Sequence, residues 1–161
     1  MNESQELQTV LKQLAKAEAK LYELGVIRSS KIVAELGEYY AMKEYGLQLA
    51  KNKIQKGYDL IDDLKVRYQV KCRRVYDNPS RSTKSKHLIK GLEKDGYDMA
   101  IIIEIGHDYD LIKIFSVSRK RIIEKFGKKM SNITVPKLEA IADKPIYQKN
   151  QFLFGDPVPF L

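Results

Sequence analysis

The sequence predicts an α/β domain of the α+β kind, with a mixed central sheet and one extra helix at its N-terminal end. Three observations predict it. Val66, Tyr68, Val70 and Cys72 alternate strictly with Arg67, Gln69, Lys71 and Arg73, and a period of two divides them between the two faces of a strand. DMAIIIE, residues 98–104, is the most apolar run in the chain and is bounded by turn residues, as a central strand would be. Ahead of both, two stretches carry apolar residues at helical spacing. With 161 residues the chain is about one domain long and can bury a core without staples. Three parts are expected: an N-terminal helix over 1–28, the main domain over 29–130, and a C-terminal extension over 131–161 that packs on the domain or on a partner protomer.

In order along the chain, residues 3–25 read as a helix whose Leu7, Val10, Leu14, Ala17, Leu21 and Leu24 form a heptad-like stripe. One side of it must be buried, across its own domain or against a second copy. Ser29 and Ser30 can cap a second helix over 31–45, closed by Gly46. Its apolar face is Ile32, Val33, Leu36, Tyr39 and Tyr40, with Glu38 near the edge. Residues 47–56 read as a connector. Residues 57–61 then make a short strand, 62–65 a hairpin turn, and 66–74 the alternating strand.

Asp77-Asn78-Pro79-Ser80 signals a turn, and residues 81–87 form a basic, hydroxyl-rich loop. Residues 88–95 are expected to make a short helical turn. The apolar strand 98–104 and a strand over 110–116 form another hairpin. Ser116 or Ser118 can cap a helix over 119–126 that Gly127 ends. A short helix opens at Val135-Pro136 and stops at Lys144-Pro145. Phe152, Leu153, Phe154, Val158, Phe160 and Leu161 make an apolar tail that should dock on its own domain or on a partner.

The net charge is +8, and it is unevenly spread. Lys65, Arg67, Lys71, Arg73, Arg74, Arg81, Lys84, Lys86 and Lys90 face only Asp77 among acids in that interval, a field that attracts polyanions. The single cysteine, Cys72, rules out an intramolecular disulfide and fits a reducing cytoplasm. The N-terminal residues lack a leader pattern and no apolar run approaches about 18 residues, so a soluble, cytoplasmic protein without membrane association is expected. His87 and His107 have no partners at zinc-ligand spacing.

The hairpin also carries chemistry. Asp59 opens one arm while Gln69 and Lys71 share a face of the other, so pairing the arms brings a carboxylate, an amide and an amine together. Asp59, nine intervening residues and then Gln69-Val70-Lys71 resemble the D…(E/Q)xK core of the PD-(D/E)XK nuclease superfamily in its QxK form. Leu36-Gly37-Glu38 on the preceding helix resembles that signature's third element. The stretch from Gly37 to Arg74, followed by DMAIIIEI, is similar to a family of small bacterial proteins assigned to the superfamily; the likeness spans about residues 30–126.

The resemblance implies a restriction-endonuclease-like αβββαβ core and a Mg²⁺-dependent (alternatively Mn²⁺-dependent) endonuclease acting on nucleic acid, DNA first. It implies Asp59, Gln69 and Glu38 as metal ligands, with Lys71 positioning water beside them. Lys65, Arg67, Arg73, Arg74, Arg81, Lys84 and Lys86 would hold phosphates, and a homodimer would serve to cut two strands. Gln69 replaces the usual anion, which weakens the hold on a cation. The alternatives are a nucleic-acid-binding module that has lost catalysis, or a structural subunit of a larger complex.

Overall fold

The computed structural model describes residues 3–23, 32–50, 57–76, 88–130 and 133–148. Helices α1 (Glu3–Glu23) and α2 (Ile32–Tyr45) precede β1 (Gln48–Leu49), β2 (Leu60–Ile61), β3 (Arg67–Arg74), β4 (Met99–Ile105) and β5 (Leu111–Ser118). Helices α3 (Arg119–Phe126) and α4 (Val135–Glu139) and strand β6 (Asp143–Gln148) follow. The strands form one mixed sheet in chain order. All neighbours are antiparallel except β3 and β4, which run parallel.

That parallel pair shapes the molecule. Parallel neighbours need a long return connection over one face of the sheet, of which residues 75–76 and 88–98 are described here. Its Ile89, Leu92 and Tyr97 bury themselves with Ala100 and Ile102 of β4, Phe115 and Val117 of β5, Ile122 of α3 and Leu138 of α4. The opposite face packs α1 and α2, through Leu11, Ala15, Leu36, Tyr40 and Ala41, on Val70, Ile101, Ile103 and Ile114. With both faces covered, Ile101, Ile102 and Ile103 are fully buried, each contributing about 2 kcal/mol. Helix α2 lies close on β3 at Gly37, where a Cβ would collide with that of Cys72.

Five expectations change. The buried face of α1 is Leu11, Ala15 and Glu18, with Leu7 and Leu14 packed beside it, whereas Val10 of the expected stripe is 53% exposed. The helix packs on its own domain, rotated so that Glu18 meets Arg74 inside; Leu24 and the side chain of Leu21 lie outside the described residues. The connector contains β1, paired to β2. Residues 88–95 contain no helix, because Leu88 bridges Thr134 and the Ile89 N–H donates to the Ile133 carbonyl at 2.8 Å. Pro145 does not stop the chain but falls in β6, at a register shift between the Ile114–Tyr147 and Ser116–Asp143 pairs, the kind of irregular edge that tolerates a residue without an N–H. The segment 133–148 is thus part of the sheet and core, not an appendage to them. The apolar tail 152–161 lies outside the described residues. Among the described residues no helix is long and apolar enough to cross a membrane.

Candidate active site

Strands β2 and β3 pair over two residues each, Leu60 with Tyr68 and Ile61 with Arg67. One more rung follows, from the Asp59 N–H to the Tyr68 carbonyl at 2.8 Å. There the ladder changes character. The Val70 N–H donates to the Asp59 carboxylate, Oδ2, at 2.7 Å, so a side chain takes the place of the next backbone acceptor. Upstream, Gly57 turns the chain with φ 105° and sits against the Asp95 carbonyl, where a Cβ would clash. Past Val70, β3 presents an edge that no described strand covers.

A cleft of about 370 Å³ opens along that edge. Ala34 and Glu38 of α2 form one wall and Leu88, Ile89 and Lys90 of the return connection the other, with Asp59, Gln69 and Lys71 between them. Gln69 is 8% exposed, and its Nε2 donates to the same Asp59 oxygen that receives the Val70 N–H. Two donors therefore fix this carboxylate, leaving its other oxygen as the one to meet a ligand.

Burial dominates the electrostatics. It pushes the Asp59 carboxyl above its usual range, against the pull of the Val70 N–H, the Lys71 charge, the Gln69 amide and Lys94. It pushes the Lys71 ammonium below its usual range, opposed by Asp59 and Glu93 and reinforced by Lys94. Each charge costs the fold something where it sits. The main chain also closes on Lys71: at Gly91, φ 79°, a Cβ would lie 2.9 Å from Nζ.

The oxygen donors bordering the cleft include the carboxylates of Asp59 and Glu38, the amide oxygen of Gln69, and the carbonyl of Val70, which strand alternation turns to the same edge as its N–H. One or two carboxylates, a carbonyl and water suit a hard cation such as Mg²⁺. Among the described residues no group of three or more His, Cys, Asp or Glu is gathered. Cys72 borders the cleft too, but burial raises its thiol to about 12, which leaves it protonated and inert.

Four of the expected phosphate-binding residues are described, and they lie in four different places. Arg73 lines the cleft, 3.5 Å from Glu104, its Nε buried without a hydrogen-bond partner. Arg67 lies on the same face nearer the strand's start, held by both oxygens of Asp98 at 3.0 and 2.9 Å. Lys65 is exposed in the hairpin turn at φ 66°. Arg81, Lys84 and Lys86 lie outside the described residues. Arg74 is a correction: it shares the helix-covered face with Cys72, 8% exposed, and its guanidinium is taken up by Glu18, the Tyr109 hydroxyl and the His107 carbonyl. A residue so enclosed cannot hold a phosphate.

Lys90, Gly91 and Lys94 were not picked out from the sequence as site residues. Nothing local marks them, because the parallel return brings them to the site from some twenty residues beyond Lys71. No family model matches this chain, and a search of curated proteins finds no significant match. Function must be argued from the cleft.

Proposed function

We propose that the chain is a metal-dependent endonuclease of the PD-(D/E)XK type, hydrolysing phosphodiester bonds in nucleic acid, DNA foremost, with Mg²⁺ or Mn²⁺ as its cofactor. The observation that carries this is the gathering of Asp59, Gln69 and Lys71 in one cleft with Glu38 on its wall. The element order supports it: a helix, the meander β1 to β3, and then a strand parallel to the third. The described part of the return before that strand, residues 88–98, has no helix where αβββαβ places one. A cytoplasmic setting suits the lone, protonated thiol.

Asp59 would be the principal ligand, held by Val70 and Gln69, with the Gln69 amide oxygen, Glu38 and the Val70 carbonyl completing the oxygen set. When bound, the cation supplies a Lewis acid and lowers the proton affinity of a bound water. Lys71 would orient the attacking water and offset charge growing on the phosphoryl oxygens, an effect strengthened by the low polarity around it. Arg73 extends positive charge along the cleft. A homodimer of such sites would cut both strands of a duplex.

The second reading, a module that binds nucleic acid without cutting it, is favoured by one feature. The Gln69 amide is neutral and its NH₂ already serves Asp59. Incubation of linear, nicked, branched and single-stranded DNA with Mg²⁺ or Mn²⁺ separates the two. Cutting that disappears in Lys71→Met supports the nuclease; binding without cutting under every condition moves the assignment to the module.

A further inference from the structure

The return connection between β3 and β4 does more than cover a face of the sheet. Its segment 88–94 is tied down along its length. Leu88 bridges Thr134, and the Ile89 N–H donates to Ile133. Leu92 is fully buried, and its carbonyl accepts from the Tyr97 hydroxyl at 2.6 Å. Between these anchors Gly91 closes on the Lys71 ammonium. Such a segment places its side chains reproducibly rather than sweeping them through solvent.

Two of those side chains are cations. Lys90 borders the cleft, and Lys94 is close enough for its charge to act on both Asp59 and Lys71. Both are exposed. Among the described residues neither forms an ion pair, whereas Arg67, Lys113, Arg119 and Arg121 all do. Two exposed ammoniums beside the cleft that holds Lys71 add to its positive field, which draws an anion into it.

Building on the nucleic-acid reading above, we infer that the segment 88–94 is a backbone clamp, in which Lys90 and Lys94 each take a phosphate of the bound strand beside the one that reaches Lys71. Both contacts are made to backbone and carry no base preference. Substrate is then selected by access of a sugar–phosphate chain to the cleft and not by sequence.

The test is salt-dependent binding of a fluorescein-labelled DNA single strand in EDTA, so that cleavage plays no part. It compares wild type, the double variant Lys90→Gln with Lys94→Gln, and a charge-matched control, Lys128→Gln with Lys129→Gln, on the exposed residues after α3. The clamp predicts that the slope of log K against log salt falls by roughly 0.7 for each cleft lysine removed and stays at the wild-type value in the control. An unchanged slope in the cleft variant overturns the clamp and leaves the nuclease reading standing. Equal losses in cleft variant and control overturn it in favour of diffuse attraction. If wild type binds no DNA, the clamp and the nucleic-acid reading fall together.

Discussion

Strand β3 carries two buried charge clusters, one on each face, and they are built in opposite ways. On the helix side Arg74 and Glu18, with side chains 3% and 7% exposed, form an ion pair that Tyr109 closes by donating to the same Glu18 carboxylate. The guanidinium lies 3.9 Å from the Tyr109 ring centroid and finds two further bonds at the His107 carbonyl. Every strong donor has somewhere to go. On the cleft side Asp59 and Lys71 are driven by burial towards their neutral forms, and the Arg73 Nε, though 3.5 Å from Glu104, makes no hydrogen bond. The first cluster ties α1 to the sheet. The second holds charge at a cost to stability beside an open cleft, the arrangement expected where a ligand completes the site.

The contrast is most directly broken at Glu18. Glu18→Ala leaves the Arg74 guanidinium buried and uncompensated, which should cost about 3–5 kcal/mol in urea denaturation; a loss below about 1 kcal/mol would mean the cluster is not the anchor described. Next come the cleft residues, where stability and activity should move in opposite directions. Lys71→Met and Asp59→Asn should each lower cleavage by roughly a hundredfold or more while leaving the melting temperature level or raising it. A lowered melting temperature would place these residues with the structural cluster.

Gly91 sharpens the comparison further. Gly91→Ala and Gly46→Ala both put a side chain at positive φ, 79° and 64°, but only the first meets an obstacle, Lys71 Nζ. Each should cost about 1 kcal/mol, and only Gly91→Ala should also reduce cleavage. Loss of cleavage in Gly46→Ala too would reduce the Gly91 effect to general destabilisation.

The smallest effect belongs to the exposed end of the same strand. Hydrogen bonding to Arg67 holds the Asp98 carboxyl below its usual range. A depressed acid contributes stability above its unfolded value, near pH 4, and loses it as pH falls through the folded one. Because the pair is 42% and 45% exposed, solvent screening leaves about 0.5 kcal/mol or less. Asp98→Asn should therefore lower the melting temperature slightly at pH 7 and in low salt, with the difference shrinking as pH falls below about 4. A difference that persists in acid would assign the effect to something other than the ion pair.

Much of this was legible along the chain, and the failures are instructive. The hairpin, the apolar strand after it and the α3 boundaries follow from alternation, a continuous apolar run and the Ser118 and Gly127 caps, all local signals. The juxtaposition of Asp59 with Gln69 follows from pairing the two arms. The fate of Arg74 could also have been read, since the alternation that sends Gln69, Lys71 and Arg73 to one face sends Arg74 with Cys72 to the other. Strand β1 was missed because two residues hold no period, and β6 because Pro145 reads as a stop unless the strand is known to lie at an edge. The stripe of α1 lies differently from its apolar spacing because Glu18 is buried against an arginine fifty-six positions on, a contact no helical period encodes.

The sequence by itself determined the elements of the hairpin and the chemical groups it carries, because periodicity and turn chemistry act over a few residues. Tertiary structure decided which charges are spent inside the fold and which face the cleft. It also decided that residues 88–94 become the cleft's second wall. Those outcomes depend on the parallel pairing of β3 with β4 and on the return connection this pairing forces across one face, and no local pattern encodes contacts made over such a separation.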